Sequence, residues 1–98
     1  MVSYVNSPKV RFSRHAIQRM FERSIPSSVV AQVARNGAII EDYPNDAPSP
    51  SRLQLGWNGG YPLHVVVAQD PDGSLTVITT YIPELDRWEG NYRRRKKK

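Results

Sequence analysis

Residues Val29–Tyr43, VVAQVARNGAIIEDY, change their hydrophobic period at a single glycine. Up to Arg35 the apolar residues Val29, Val30, Val33 and Ala34 recur at helical spacing and form one buried stripe. From Ala38 the period falls to two, as a strand requires. Asn36-Gly37 between them reads as a helix C-cap, glycine supplying a left-handed residue. Helices therefore precede this point and strands follow it.

Working backward, Ile25-Pro26-Ser27 separates that helix from an earlier one. The earlier helix starts after the N-cap residue Ser13 and runs to about Arg23. Its apolar positions Ala16, Ile17, Met20 and Phe21 are expected to face a core. Lys9 to Phe12 alternates in the manner of a short first strand. Working forward, the strand Ala38–Tyr43 leads into the proline-rich connection PNDAPSPS. Arg52 to Trp57 alternates again, with Leu53, Leu55 and Trp57 on one face. Asn58-Gly59-Gly60 is a hairpin turn. Leu63 to Ala68 is a central strand, Asp70-Pro71-Asp72-Gly73 a second turn, and Leu75 to Ile82 the last strand. The order β-α-α-β-β-β-β predicts an α+β fold, two helices packed on a mostly antiparallel four-stranded sheet.

The 98 residues are the size of one small domain, expected over 1–92, with a basic tail over 93–98. The net charge is +5, and six basic residues sit in the run Arg93–Lys98, so the remaining body is near −1. Such a run either binds phosphate backbones and acidic partners or is a solvated end. Without cysteine there is no disulfide and no thiolate metal site. No apolar run approaches the roughly 20 residues of a membrane span. MVSYVNSPKV carries no apolar signal core, so the expectation is a cytoplasmic protein.

The residues able to carry chemistry are few. His15, Arg19 and Arg23 stand at i, i+4, i+8, one row along the first helix. Arginine holds phosphate bidentately and stays charged, so the row is either a phosphate site or an exposed amphipathic face. Arg14 flanks it, and Arg93 and Arg94 add charge in the tail. His64 interrupts the apolar run LHVVV and shares a face with Val66 and Ala68. Two imidazoles suit metal-free RNA cleavage: one removes the 2′-hydroxyl proton, the other protonates the leaving 5′-oxygen. Arginines would stabilise the phosphoryl charge, and Tyr81 would donate a hydrogen bond or stack on a base. Against this stands a metal site of the two histidines with Glu41, Asp42 or Asp46, although no HxH or HExxH spacing occurs. No phosphate-binding glycine motif is present, so no nucleotide cofactor is expected. Trp57 and Trp88 are read as packing residues before base-stacking platforms.

FSRHAIQRMFERSI, NGAIIEDYPNDAPSPSRLQLGW, YPLHVVVA and TTYIPELDRWEGNYRRRK together resemble the bacterial domain of unknown function 4258, from Phe12 to the end of the chain. Ser24 stands where that family commonly has glycine, and Pro26 where it has serine or threonine. His15, Arg19, Arg23, Tyr43, His64, Tyr81 and Trp88 lie in its characteristic motifs. The element order also looks like that of RelE-like and barnase-like ribonuclease toxins. By analogy, this implies a metal-independent endoribonuclease of the toxin-antitoxin kind, acting on free or ribosome-bound RNA and paired with an antitoxin protein. A non-catalytic module that binds nucleic acid or an acidic protein is the competing expectation.

Overall fold

The computed structural model of the chain describes residues 8–96. The first seven residues of the expected domain and Lys97 and Lys98 of the expected tail lie outside the described residues. The elements are β1 (Val10–Phe12), α1 (Arg14–Arg23), α2 (Ser27–Asn36), β2 (Ala38–Tyr43), β3 (Ser51–Asn58), β4 (Tyr61–Gln69) and β5 (Leu75–Tyr81). The α+β class and the element order stand, but the sheet has five strands, in the order β1-β5-β4-β3-β2. The fifth is β1, which pairs with β5 in parallel while every other pair is antiparallel.

Ser13 explains why β1 joins the sheet. Its side chain accepts from Ala16 N–H at 3.0 Å, capping α1, and donates to the Ile78 carbonyl at 2.8 Å. Its backbone N–H bonds the Val77 carbonyl at 2.9 Å. One residue thus starts the helix and fastens it to β5.

Alternation along β4 gives the sheet two different faces. Leu63, Val65 and Val67 point to the helices and form the core with Ala16, Met20, Val30, Val33, Ala34, Leu75 and Val77. The helix α2 lies very close to β3. A Cβ on Gly56 would fall 2.4 Å from Val33 Cγ2. Gln54, also on this face and buried, donates to the Val33 and Ala34 carbonyls at 2.7 and 3.1 Å. The Val33 carbonyl also accepts the Gly37 N–H at 2.8 Å, so Gln54 adds a second bond there and reaches the Ala34 carbonyl in the last turn of α2.

Two local expectations are corrected. Gly37 is not left-handed; its φ of −66° and ψ of 159° are extended. Glycine is needed there for space, because a Cβ would meet the Val33 carbonyl oxygen at 2.6 Å and the Leu55 oxygen at 3.0 Å. In α1, Ala16 and Met20 are buried, but Ile17 is 54% exposed and Phe21 86% exposed. The helix touches the sheet along a narrow stripe, and these two residues lie too far around its circumference to reach it.

The junction between the helices departs from common cap chemistry twice. Ser24 is left-handed with φ 54° and ψ 42°, and its N–H closes α1 on Met20 and Phe21. Pro26 is the N-cap of α2 and makes no side-chain cap bond. Left-handed backbone costs an L-residue roughly 1–2 kcal/mol, part of which glycine returns as unfolded-state entropy. Ser24→Gly should therefore raise the unfolding free energy by about 1 kcal/mol in chemical denaturation.

Candidate functional site

The sheet face away from the helices carries the polar groups. In register across it stand Leu55 of β3, His64 of β4 and Tyr81 of β5. Residues 83–96 fold back over this face as a strap. A bridge between Trp88 and Arg95 closes the strap on itself, supported by Lys96 N–H to the Arg87 carbonyl and Glu89 N–H to the Arg94 carbonyl, each 2.9 Å. Trp88 is buried, and its ring meets the His64 imidazole edge-on with centroids 4.4 Å apart. The Arg95 guanidinium lies over the Trp88 ring at 4.7 Å, a cation–π contact. Arg95 also approaches Glu41 at 3.7 Å, and Glu41 accepts a hydrogen bond from the Tyr43 hydroxyl. Among the described residues of the basic run, Arg94, Arg95 and Lys96 take part in the backbone pairing of the strap.

His64 is fully buried beneath the strap. Its Nε2 lies 2.7 Å from the Tyr92 carbonyl oxygen, which can only accept, so Nε2 carries the proton. Nδ1 then accepts from the Tyr81 hydroxyl at 3.2 Å. Burial pushes the His64 pKa below its ordinary value; the bond to Tyr92 opposes this, Arg95 adds to it and Glu41 opposes it. Burial likewise raises the Tyr81 pKa, with Arg95 opposing and Glu41 reinforcing. Tyr43 is pushed up to about 12, first by burial and then by its bond to Glu41. The imidazole is neutral and both phenols are protonated near neutral pH.

The expected site residues separate into two groups. His64 and Tyr81 meet. His15 is exposed on α1, on the helix side, while His64 points out of the opposite face, so the sheet stands between the two imidazoles. They do not converge on one phosphate, and both nitrogens of His64 are already engaged. The row along α1 is also divided. Arg14 and His15 are exposed, Arg19 pairs with Glu22 at 3.1 Å, and Arg23 at the end of the helix reaches a cleft. Arg94 is exposed on the strap, and Arg93 lines a separate notch. Among the described residues, no three His, Cys, Asp or Glu side chains gather as a metal-binding group.

The cleft, about 450 Å³, opens between the end of α1, the end of β5 and the strap. Arg23, Arg87 and Arg95 line it with Tyr81, Ile82, Pro83, Trp88 and Glu84. Three arginines and one glutamate line it, so planar, permanently charged donors outnumber carboxylates there. Arg87 and Glu84 were missed from the sequence; the signal was the run PELDRW, whose charged residues flank a tryptophan that the sheet buries.

The arrangement defines a small α+β domain with helices on one sheet face and an arginine-bearing strap on the other. The chain belongs to the DUF4258 family, a domain of unknown function, whose family model matches residues 12–82. No curated protein and no solved structure matches it. The family match takes in Arg23, His64 and Tyr81 but ends before Glu84, Arg87, Trp88 and Arg95, so the resemblance covers less of the chain than the motifs alone imply. Among the described residues, no helix is long and apolar enough to cross a membrane.

The buried imidazole has a pH signature. Because its folded pKa lies below the unfolded value of about 6.5, the unfolded chain binds the proton more readily. Its contribution to stability is whole above that pH and is lost as pH falls through the window below it. Between wild type and His64→Gln, denaturation curves should show the steeper decline for wild type below pH 6.5. The excess slope should be at most about 1.4 kcal/mol per pH unit.

Proposed function

We propose that the protein binds RNA through the arginine cleft, a phosphodiester seated among Arg23, Arg87 and Arg95. The observation that carries this reading is the convergence of three guanidiniums from two distant parts of the chain on one open cleft. Two of them come from the strap that His64 and Trp88 hold down, so they arrive preorganised. The Tyr81 hydroxyl, its proton directed at His64, keeps lone pairs free to accept from a ribose 2′-hydroxyl, the group that distinguishes RNA from DNA.

Cleavage of that phosphodiester without a metal is the second reading, and Glu84 favours it. A carboxylate in the cleft is a proton acceptor for the attacking 2′-hydroxyl, a role His15 and His64 are not placed to share. The arginines stabilise charge on the phosphoryl oxygens and on the leaving 5′-oxygen, which takes its proton from water, while Tyr81 keeps its proton on His64. In a toxin-antitoxin setting, the antitoxin would present acidic side chains to the same arginines and compete with RNA.

Titrations of a labelled single-stranded RNA test both readings. Arg87→Ala should weaken binding roughly tenfold or more, as expected when a charged hydrogen-bond partner is lost, and should lower the salt dependence by about one unit. Unchanged affinity and salt slope would refute the cleft as the RNA site. In the presence of a chelator, RNA degradation by wild type that Glu84→Gln abolishes while binding persists would establish the cleavage reading; no degradation by wild type would remove it.

A further inference from the structure

A second concavity lies across the sheet end from the arginine cleft. Strand β2 begins at Ala38, opposite Leu55, so Gly56, Trp57 and Asn58 of β3, paired with β4 on one side, extend past β2 on the other. The end of α2 walls the gap, leaving a notch of about 290 Å³. Four side chains give it a definite chemistry: Trp57, Gln32, Asn36 and Arg93. Trp57 is 53% exposed, and a T-shaped contact with Tyr92, centroids 6.0 Å apart, steadies its indole while leaving half of the residue open. Gln32 and Asn36 are exposed and share one row of α2 at i, i+4. Each amide offers a donor and an acceptor, the combination that pairs with a base edge. Arg93 supplies positive charge, and no carboxylate lines the notch.

We infer that this notch is a nucleobase subsite for single-stranded RNA, the base stacked on Trp57 with its edge toward Gln32 and Asn36 and its phosphate at Arg93. The inference rests on the reading of the arginine cleft as the RNA phosphate site, and it adds base recognition to it. The strap connects the two places. Arg93 lines the notch and Arg95 the cleft, and two residues of chain span at most roughly 7 Å. Trp88 is the contrasting case: it is buried beneath Arg95 and serves as packing, as expected of both tryptophans.

The test compares wild type, Trp57→Phe, Trp57→Ala, Asn36→Ala and Arg87→Ala, each shown to melt as wild type does. Two probes are used: a single-stranded RNA octamer, and the same octamer with abasic riboses. Asn36→Ala probes the base edge without altering the contact between Trp57 and Tyr92. Trp57→Ala is expected to lose roughly 5- to 100-fold in affinity for the intact octamer, the range of one base stacked on an aromatic ring. It should lose nothing on the abasic probe, and Trp57→Phe should retain most of the binding. Asn36→Ala should weaken the intact octamer alone, whereas Arg87→Ala should weaken both probes. Wild-type affinity for the intact octamer in Trp57→Ala and Asn36→Ala, with Arg87→Ala impaired, overturns the base subsite and leaves the cleft standing. Loss in Trp57→Ala with none in Arg87→Ala upholds the subsite and overturns the cleft.

Discussion

The hydrogen bond from His64 Nε2–H to the Tyr92 carbonyl joins the middle of the sheet to the strap that crosses it. Everything proposed for this protein depends on that attachment. Without it, residues 83–96 would be held on the sheet by the Trp88 indole, the contact of Tyr92 with Trp57 and the Arg95–Glu41 pair. The histidine is fitted to the task because it is polar at both ends of a flat ring. One nitrogen reaches the strap, the other receives the Tyr81 hydroxyl, and the ring's apolar edge packs on Trp88. A neutral imidazole can be buried there because each polar atom has a partner. A charged one would meet Arg95 and would require the Tyr81 hydroxyl to turn and accept from Nδ1.

The five-stranded sheet is thereby buried on both faces by different means. On one side α1 and α2 supply an apolar core of small and branched residues, close enough at Gly56 and Gly37 that no side chain fits. On the other, a short irregular segment covers the strands with aromatic rings and returns its arginines to the surface. An aromatic stack anchors a loop while spending little side-chain freedom, since each ring has only two torsions to fix. Arg95 shows both uses of one residue: its guanidinium covers Trp88 and also lines the cleft. The arginine cleft is in this sense a by-product of how the second face is closed, and its geometry follows from the histidine beneath it.

Much of the fold could be read from residue patterns because they repeat locally. The period change at Gly37, the Gly59-Gly60 turn and the Ser13 cap are each set by a few neighbouring residues, and the elements fall where those signals place them. Non-local matters were harder to read. Pairing of β1 with β5 joins residues 65 apart, and nothing in Val10–Phe12 announces a parallel neighbour. Ile17 and Phe21 have the right spacing for a core stripe, but how a helix is rolled on its sheet depends on what it packs against. The site was legible in its chemistry and partly in its membership: Arg23, His64 and Tyr81 belong to one neighbourhood, whereas His15, paired with His64 as an acid–base candidate, lies beyond the sheet. Arg87 and Glu84 escaped notice because their meaning comes from the strap folding back, and a run that ends in RRRKKK reads as a solvated tail until Trp88 is seen to be buried.

Nitrogen-detected NMR of the His64 imidazole is the most direct test of whether it anchors the strap. The structure predicts a neutral ring at pH 7 with the proton on Nε2, and protonation that sets in only below the ordinary imidazole value. A ring that titrates at the ordinary value of about 6.5, or that carries its proton on Nδ1, would contradict it.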